Sequence, residues 1–508
     1  MNNRGATTVL FTLIISILML FTFSALEVGR IYMSRVKAAS VVQSVRQNIM
    51  ADYNRELFER YHLLFMDPTY GTGSEAVLEE KASDYIEYSL NEETGKIYVF
   101  SIDEIAVIDE ENILDNDMRL LKEQIESYEK TAGILHRAKE VNEKLKNEKA
   151  DVEAAAQETE VNGVELPETK NDTGKTSEKK NSKAKNEKTE NKKNKTGDTG
   201  TREEVKDPRD EMKESLKFGI LNFLKPADMK ISSKKMDLNH IPSARYESQK
   251  EEEKDNSFKD IKNLNNFLKQ SAKEKNQEGL LQKAAFLDYV DYHFSNGVNQ
   301  KEDSVAKCEI EYILKGKDND FDNLQGVVND ITWLRMPVNY SYLLTDEAKK
   351  SEALTLAAAI CTATGTEALI EVVKYLLLGC WAYGETLCDM RTLLEGGKIP
   401  YTKTAASWKT DLKNIGASST AGTVKNGLSY EDYLLILLAK KSGKKLNVCY
   451  ARMLDLVQWN LQSTDDTFFF ENYVGELRIQ GKICVNSLFS SKGNREVYEY
   501  YFDESVAY

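Results

Sequence analysis

Histidine is nearly absent. The 508 residues hold 4, at positions 62, 136, 240 and 293, none with a partner four residues on. That spacing excludes the H-E-x-x-H zinc helix. No G-x-S-x-G occurs, which removes the strained serine turn of the common hydrolases. The 6 cysteines all lie at or beyond Cys308, and no two form a C-x-x-C pair, so neither a zinc ribbon nor a dithiol redox motif is indicated. Several of them sit in apolar runs, as in Ala359-Ile360-Cys361, and buried thiols are expected over a disulfide framework. Basic charge is not in excess: the formal net charge is −14, which gives no global bias toward nucleic acid.

Charge is missing altogether from Val9 to Leu26, and so are Pro and Gly. A bilayer core takes about 20 apolar helical residues, and a helix satisfies its own backbone polar groups in lipid. This run therefore predicts a membrane-spanning helix, with residues 1–8 as a leader and 9–28 as the span with its exit. A cleaved signal peptide is the rival, since Arg4 supplies a basic start and Thr22-Phe23-Ser24 a small-x-small site. The run exceeds the usual signal core of about 7–15 residues. Arg30, Arg35, Lys37 and Arg46 follow the span, and counting them alone would keep the C-terminal side in the cytoplasm.

Beyond the span, residues 29–150 read as a juxtamembrane helix and the first part of an ectodomain. Val36, Ala39, Val42, Val45 and Ile49 recur at helical spacing, which predicts one rod continuing from the anchor through Phe65, stopped at Asp67-Pro68-Thr69-Tyr70-Gly71. A helix over Ser74–Leu90, a strand from Lys96 to Ile102 and a charged helix over Asn112–Ala150 follow. Residues 151–210 are rich in Lys, Glu, Asn and Thr and almost free of aliphatics. Such a segment cannot bury enough surface to order itself, and a disordered spacer is expected. Its lysines leave open a contact with anionic lipid or cell-wall polymer.

In the remainder, 211–508, Met212–Leu224, Ile261–Phe294, Leu324–Leu344, Thr345–Thr362, Gly365–Leu394, Tyr430–Lys440 and Leu446–Leu461 read as helices, with breaks at Pro337, Asp346 and Gly365. Lys307–Lys315 alternates like a strand. Tyr473–Ile479, Lys482–Phe489 and Glu496–Phe502 read as strands, the first two joined by a tight turn at Gln480-Gly481. Ala368–Cys388 is apolar on most sides, but Glu371, Lys374 and Glu385 favour a core helix over a second span. The expected fold class is α+β: a transmembrane helix continuing into a long helix, then a mainly helical ectodomain with a small antiparallel sheet, interrupted by a disordered insert.

Arg4-Gly5-Ala6-Thr7-Thr8 before the span and Glu27-Val28-Gly29-Arg30 after it resemble the N-terminus of tight-adherence pseudopilins and their larger relatives. The resemblance implies an extracytoplasmic body, opposite to the charge count. It also implies leader cleavage between Gly5 and Ala6, although Leu10 stands at the fifth mature position where those proteins have Glu. Farther on, Lys307–Leu314, Lys374-Tyr375-Leu376, Trp381-Ala382-Tyr383-Gly384-Glu385 and Leu394–Pro400 resemble an uncharacterised family of Gram-positive single-pass membrane proteins, domain of unknown function 5702, often linked to tight-adherence pilus genes. That resemblance supplies a setting and no activity.

No motif supplies chemistry. Gly71-x-Gly73-x-x-Ala76 lacks a preceding strand, Gly174-Lys175-Thr176 lies in the spacer, and Ser34-x-x-Lys37 and Ser442-x-x-Lys445 lack companions. Asp318-x-Asp320-x-Asp322 lacks the closing residues of a calcium loop. No catalytic residue, metal ligand or cofactor is therefore assigned. The small residues Ala25, Gly29, Ala38, Ala39 and Ser40 form a candidate helix-packing face. The leading expectation is a surface-facing structural or assembly protein whose partners are the bilayer and pilus or secretion-system membrane proteins, with no nucleic acid. A membrane-bound sensor or ligand-binding module, which needs an apolar pocket, comes second. An exported hydrolase, which needs a catalytic cluster assembled by folding, comes third.

Overall fold

The computed structural model of the chain describes residues 4–91, 100–132, 143–144, 212, 219–247, 277–413, 415, 423–487 and 497–508, less the single positions 228, 303 and 426. The expected spacer 151–210 lies outside the described residues, as do Lys96–Val99 and most of Ile261–Gln277. The architecture is α+β: many helices and one antiparallel sheet in the order β1-β2-β3. The chain divides into two units. Unit one holds residues 1–140, 226–330 and 430–508; unit two holds 141–225 and 331–429.

Unit one begins with α1 (Arg4–Ala51), a single uninterrupted helix of 48 residues, about 72 Å long at 1.5 Å per residue. Every large apolar side chain from Val9 to Leu26 is at least 45% exposed. An 18-residue window there has mean hydropathy 2.5, and among the described residues α1 is the one helix long and apolar enough to cross a membrane. Thr12, Ser16 and Thr22 donate to carbonyls of their own helix, so their hydroxyls are satisfied without water.

From Arg30 onward the helix changes character. Arg30, Ser34, Ala38, Val41, Val45 and Ile49 are buried at spacings of four and three, with Val42 alongside. They pack on the sheet formed by β1 (Phe100–Asn112), β2 (Val474–Asn486) and β3 (Val497–Ala507), and on α3 (Ala76–Asn91) through Leu78, Ala82, Ile86 and Leu90. Four buried side chains such as Val41, Val42, Val45 and Ile49 contribute about 1.5–3 kcal/mol each. The exposed Arg46–Glu504 contact, 3.9 Å, adds about 0–1 kcal/mol. Apolar packing therefore fixes this half of the rod to the sheet.

The helix does not reach Phe65. It ends at Ala51, and Asn54 caps a new short helix, α2 (Arg55–Tyr61), by accepting from the Leu57 N–H at 2.9 Å. Met66 then bridges to Val474. At the expected stop no helix is left to end; the Asp67 carboxylate instead closes a turn, accepting from the N–H groups of Thr69 and Gly71. The charged helix starts later than expected. β1 runs to Asn112, a turn with positive φ at Asn116, Asp117 and Met118 follows, and α4 covers Arg119–Ala132.

β2 corrects the expected turn at Gln480-Gly481. It is one strand of 13 residues that runs straight through both. Gly481 is there for space: a Cβ would stand 2.3 Å from Cζ of Phe502 and 2.9 Å from the Glu104 carbonyl. The glycine marks a close approach of an aromatic ring across the sheet, not a reversal.

The rest of unit one is helical: α6 (Pro242–Glu247), α7 (Gln277–His293), α8 (Glu309–Lys315), the start of α9 (Asp320–Thr345), α12 (Tyr430–Ala439) and α13 (Gly443–Leu461). Helix α8 replaces the strand expected at Lys307–Lys315. Glu309 through Leu314 are all buried, so their alternation of polar and apolar residues does not separate a wet face from a dry one. Unit two contains α5 (Ile220–Leu224), the remainder of α9, α10 (Glu347–Thr364) and α11 (Ile370–Leu394). Asp346 caps α10 by accepting from the Lys349 N–H at 3.1 Å, as its place in the sequence suggests. Pro337 does not divide α9, which continues through it. From Leu377 on, α11 is a core helix. The six cysteines are buried and form no disulfide.

Candidate functional site

The junction of rod and sheet is where the expected interface residues gather. Arg30 forms a two-point ion pair with Glu27, 3.0 and 2.6 Å, and donates from Nη2 to the Asn486 carbonyl at 2.8 Å. The acidic-x-x-Arg exit thus ties the first turn after the apolar run to the end of β2. Arg30 is 7% exposed, and charge-assisted bonds of this kind are the strong ones.

At 100° per residue, Ala25, Gly29 and Ser40 fall on one side of α1 together with Met33 and Val36, roughly opposite the buried stripe. Met33 and Val36 are 59% and 52% exposed, and a Cβ added at Gly29 would meet nothing within 4 Å. Ala39 is exposed and flanks this face. Ala38 does not belong to it: it is fully buried against the sheet. The proposed face therefore narrows to Ala25, Gly29, Ser40 and the neighbouring Met33 and Val36. Gly5 and Ala6 lie in the first turns of α1.

Polar clusters and close contacts elsewhere account for some of the residues that carried the family resemblance, though not for Tyr375 and Leu376, which are exposed. In α8, Glu309 accepts from the Ser295 N–H and hydroxyl, the Ser304 hydroxyl and the Asn460 amide, all within 2.9 Å. Glu311 accepts from the Gly297 N–H and the Tyr430 hydroxyl at 2.8 Å. Burial nevertheless pushes Glu311 up to about 7. In unit two, Trp381 and Trp408 both donate to the Thr410 carbonyl at 3.1 Å. Gly384 lies so close to Ile415 that a Cβ would come within 2.2 Å of its methyl. Gly397 is likewise pinned between Thr392 and Thr423.

Glu385 and Asp389, one turn apart on α11, share the Lys403 ammonium at 2.5 and 2.7 Å, and Asp389 also receives Arg335 at 2.8 Å. All four side chains are fully buried. Burial alone would raise the Asp389 carboxyl, but Arg335 and Lys403 outweigh it and hold the group below the usual carboxylate range. The network is closed on its own partners, so what it does is hold α11, α9 and the 401–410 segment together.

A third cluster had no signal in the sequence. His62 and His293, isolated in the chain, come within 3.3 Å (Nδ1 to Nε2), and His293 Nδ1 lies 3.1 Å from the Tyr289 carbonyl. His293 therefore donates from Nδ1 to that carbonyl and accepts from His62 at Nε2. Burial pushes His293 down to about 4 and also lowers His62. Tyr128 stacks on His62 at 4.5 Å. Beside them Glu129 is fully buried with neither oxygen hydrogen-bonded, and burial plus the charge of Asp288 raise it to about 7. Among the described residues, no group of three or more His, Cys, Asp and Glu is placed to hold a metal ion. Asp320 accepts from the N–H groups of Ser232 and Lys307 and so acts as a structural carboxylate.

No protein of curated function and no solved structure matches the chain. A family description does match, over residues 198–485, which takes in β2 and the α8, α11 and α13 clusters and leaves out α1, β1 and β3. That span is more than half of the chain, and the protein belongs to this family of unknown function, DUF5702.

Proposed function

We propose that the protein is a membrane-anchored, surface-facing structural or assembly component, associated with a tight-adherence-type pilus or secretion system, that acts by protein–protein contact. The observation that carries this reading is α1. One helix crosses the apolar run and is then built into the folded unit one, so anchor and body move as one piece. Just past the apolar run, its free face still presents Met33 and Val36 to solvent, together with Gly29 and Ser40. Small residues beside exposed apolar ones allow close helix approach. Cleavage between Gly5 and Ala6 belongs to the same proposal, with Leu10 as the departure from the pseudopilin pattern.

A photo-reactive residue placed at Gly29 or Ala39 in intact cells tests this. Adducts to pilus or secretion proteins are expected. Gly29→Leu should reduce their recovery about tenfold, the equivalent of roughly 1.4 kcal/mol, without changing membrane insertion, because the monomer leaves that position open. Adducts to lipid alone would reduce α1 to a tether.

A further inference from the structure

Helix α1 sets the depth of unit one against a bilayer. Arg4 and Glu27 bracket 22 uncharged residues, 5–26. At 1.5 Å per residue they make about 33 Å of helix. A hydrocarbon core is about 30 Å thick, so the run has about two residues of slack. Leu26 therefore marks the edge of the core, and the helix passes that edge without a break.

Arg30 stands one turn beyond Leu26, about 6 Å farther along the axis. Its Nη2 donates to the Asn486 carbonyl at 2.8 Å. Side chains on a helix lean toward its N-terminus, which here is the lipid side. Asn486 is therefore no farther from the core than Arg30. Asn486 pairs with Val497, so this end of the β2–β3 ladder shares that depth.

A second contact fixes the direction of the sheet. Arg46 meets Glu504 at 3.9 Å. From Arg30 to Arg46 is about 24 Å along the helix, and from Val497 to Glu504 is about 24 Å along an antiparallel strand. Both contacts are made by arginines that lean the same way, so the lengths compare directly. They agree, and β3 runs nearly parallel to α1 with Val497 at its lipid end.

We propose that the sheet end formed by Asn486, Ser487 and Val497 sits in the headgroup layer of the bilayer that α1 crosses and contacts phospholipid headgroups. The inference rests on the membrane-anchored reading above and names the partner of the lipid-proximal end of the body. Headgroups fill about 5–8 Å beyond the core on each side, the depth at which Arg30 holds Asn486. The residues suit that layer. Asn486 and Ser487 bring an amide and a hydroxyl to phosphate and glycerol oxygens, and Val497 is 43% exposed. Tyr32, 68% exposed, stands about 9 Å past Leu26, and tyrosines gather at membrane–water interfaces. Glu27 and Arg30 pair with each other at 2.6 Å, so neither enters the layer as a lone charge. A single span fixes depth but leaves tilt free. A sheet end bearing on the headgroups limits tilt as well and holds unit one upright.

The test uses the full-length protein in lipid nanodiscs. A fluorophore is attached at Val497→Cys or, in a second variant, at Ser505→Cys, and a nitroxide is carried on the headgroup of a phosphatidylcholine. Ser505 lies about 27 Å farther along β3. The nitroxide should quench the probe at position 497 and leave the one at 505 unchanged. Ser487→Cys reads the same depth from beside β2 and should be quenched alike, an arm that does not depend on Val497→Cys folding. The native cysteines are buried, and the unsubstituted protein taken through the same labelling sets the background. A probe at Leu18→Cys with a nitroxide on the acyl chain reports the anchor separately and should be quenched. Quenching at 18 without quenching at 497 and 487, or equal quenching at 497 and 505, would overturn the headgroup contact and leave the anchor standing. No quenching at 18 would overturn both.

Discussion

Replacing Lys403 by Ala should destabilise unit two by about 3–5 kcal/mol, the cost of leaving a buried charge without its partner. Lys403 bridges Glu385 and Asp389, and all three are fully buried. Arg335 still reaches Asp389, and the N–H groups of Lys409 and Thr410 still reach Glu385. Those contacts were already made before the substitution, so they do not compensate. The Trp381 and Trp408 pair lies against the same 401–410 segment and reports its unfolding. A midpoint shift of that fluorescence in urea measures the loss; a change under about 1 kcal/mol would mean that the network is solvated like a surface pair. The depressed Asp389 adds an acid limb. Its stabilisation is present above its unfolded value of about 3.9 and is lost as the pH falls through its lower folded value.

Unit one should behave in the opposite sense over a higher range, being more stable at pH 5.5 than at pH 8. Burial is the main cause that lifts Glu129, Glu311 and Asp455 to about 7. A carboxyl raised in the folded state costs nothing while it is protonated in both states, below about pH 4. The penalty grows as the pH rises and is complete above the folded value. Between pH 8 and 5.5 each group should return about 2 kcal/mol. His293, lowered to about 4 by burial, opposes this below its unfolded value of about 6.5. It offsets about 1 kcal/mol by pH 5.5, less than the three carboxyls return. Amide exchange in α4 and α7 should therefore slow at pH 5.5 after correction for the intrinsic rate. Glu129→Gln should stabilise the unit by about 2 kcal/mol at pH 8 relative to its effect at pH 5.5; a pH-independent effect would contradict the assignment.

Much of this fold could be read from periodicity. The apolar run continuing into a long helix, α3, α10, α11, α12 and α13 lie where spacing places them, whereas the rod stops short of Phe65, β1 extends well past Ile102 and β2 joins two expected strands into one. The errors have a common cause. Alternation at Lys307–Lys315 normally signals one wet face, but α8 is buried all round and its carboxylates are satisfied from within. Gly481 looked like a turn because glycine permits one; its use here is to make room for Phe502. Helix breaks do not follow proline here: a packed α9 tolerates Pro337, whereas the chain breaks at Asp52–Asn54 without one and restarts on the Asn54 cap.

The candidate site was legible only in part. Small size groups Ala25, Gly29, Ala38, Ala39 and Ser40, but a small side chain suits a core contact as well as a free face, and Ala38 is buried in the core. The bond from Arg30 to Asn486 and the His62–His293 contact join residues far apart in the chain. No local pattern announces such pairs.

The central claim is that α1 holds a folded body on the outer face of a membrane. Two reporters fused in turn after Tyr508, one active only outside the cell and one only inside, measure it most directly when combined with carbonate extraction. The outside reporter should be active, the inside one silent, and the protein should stay in the carbonate-washed membrane. A signal from the inside reporter, or release by carbonate, would contradict the account.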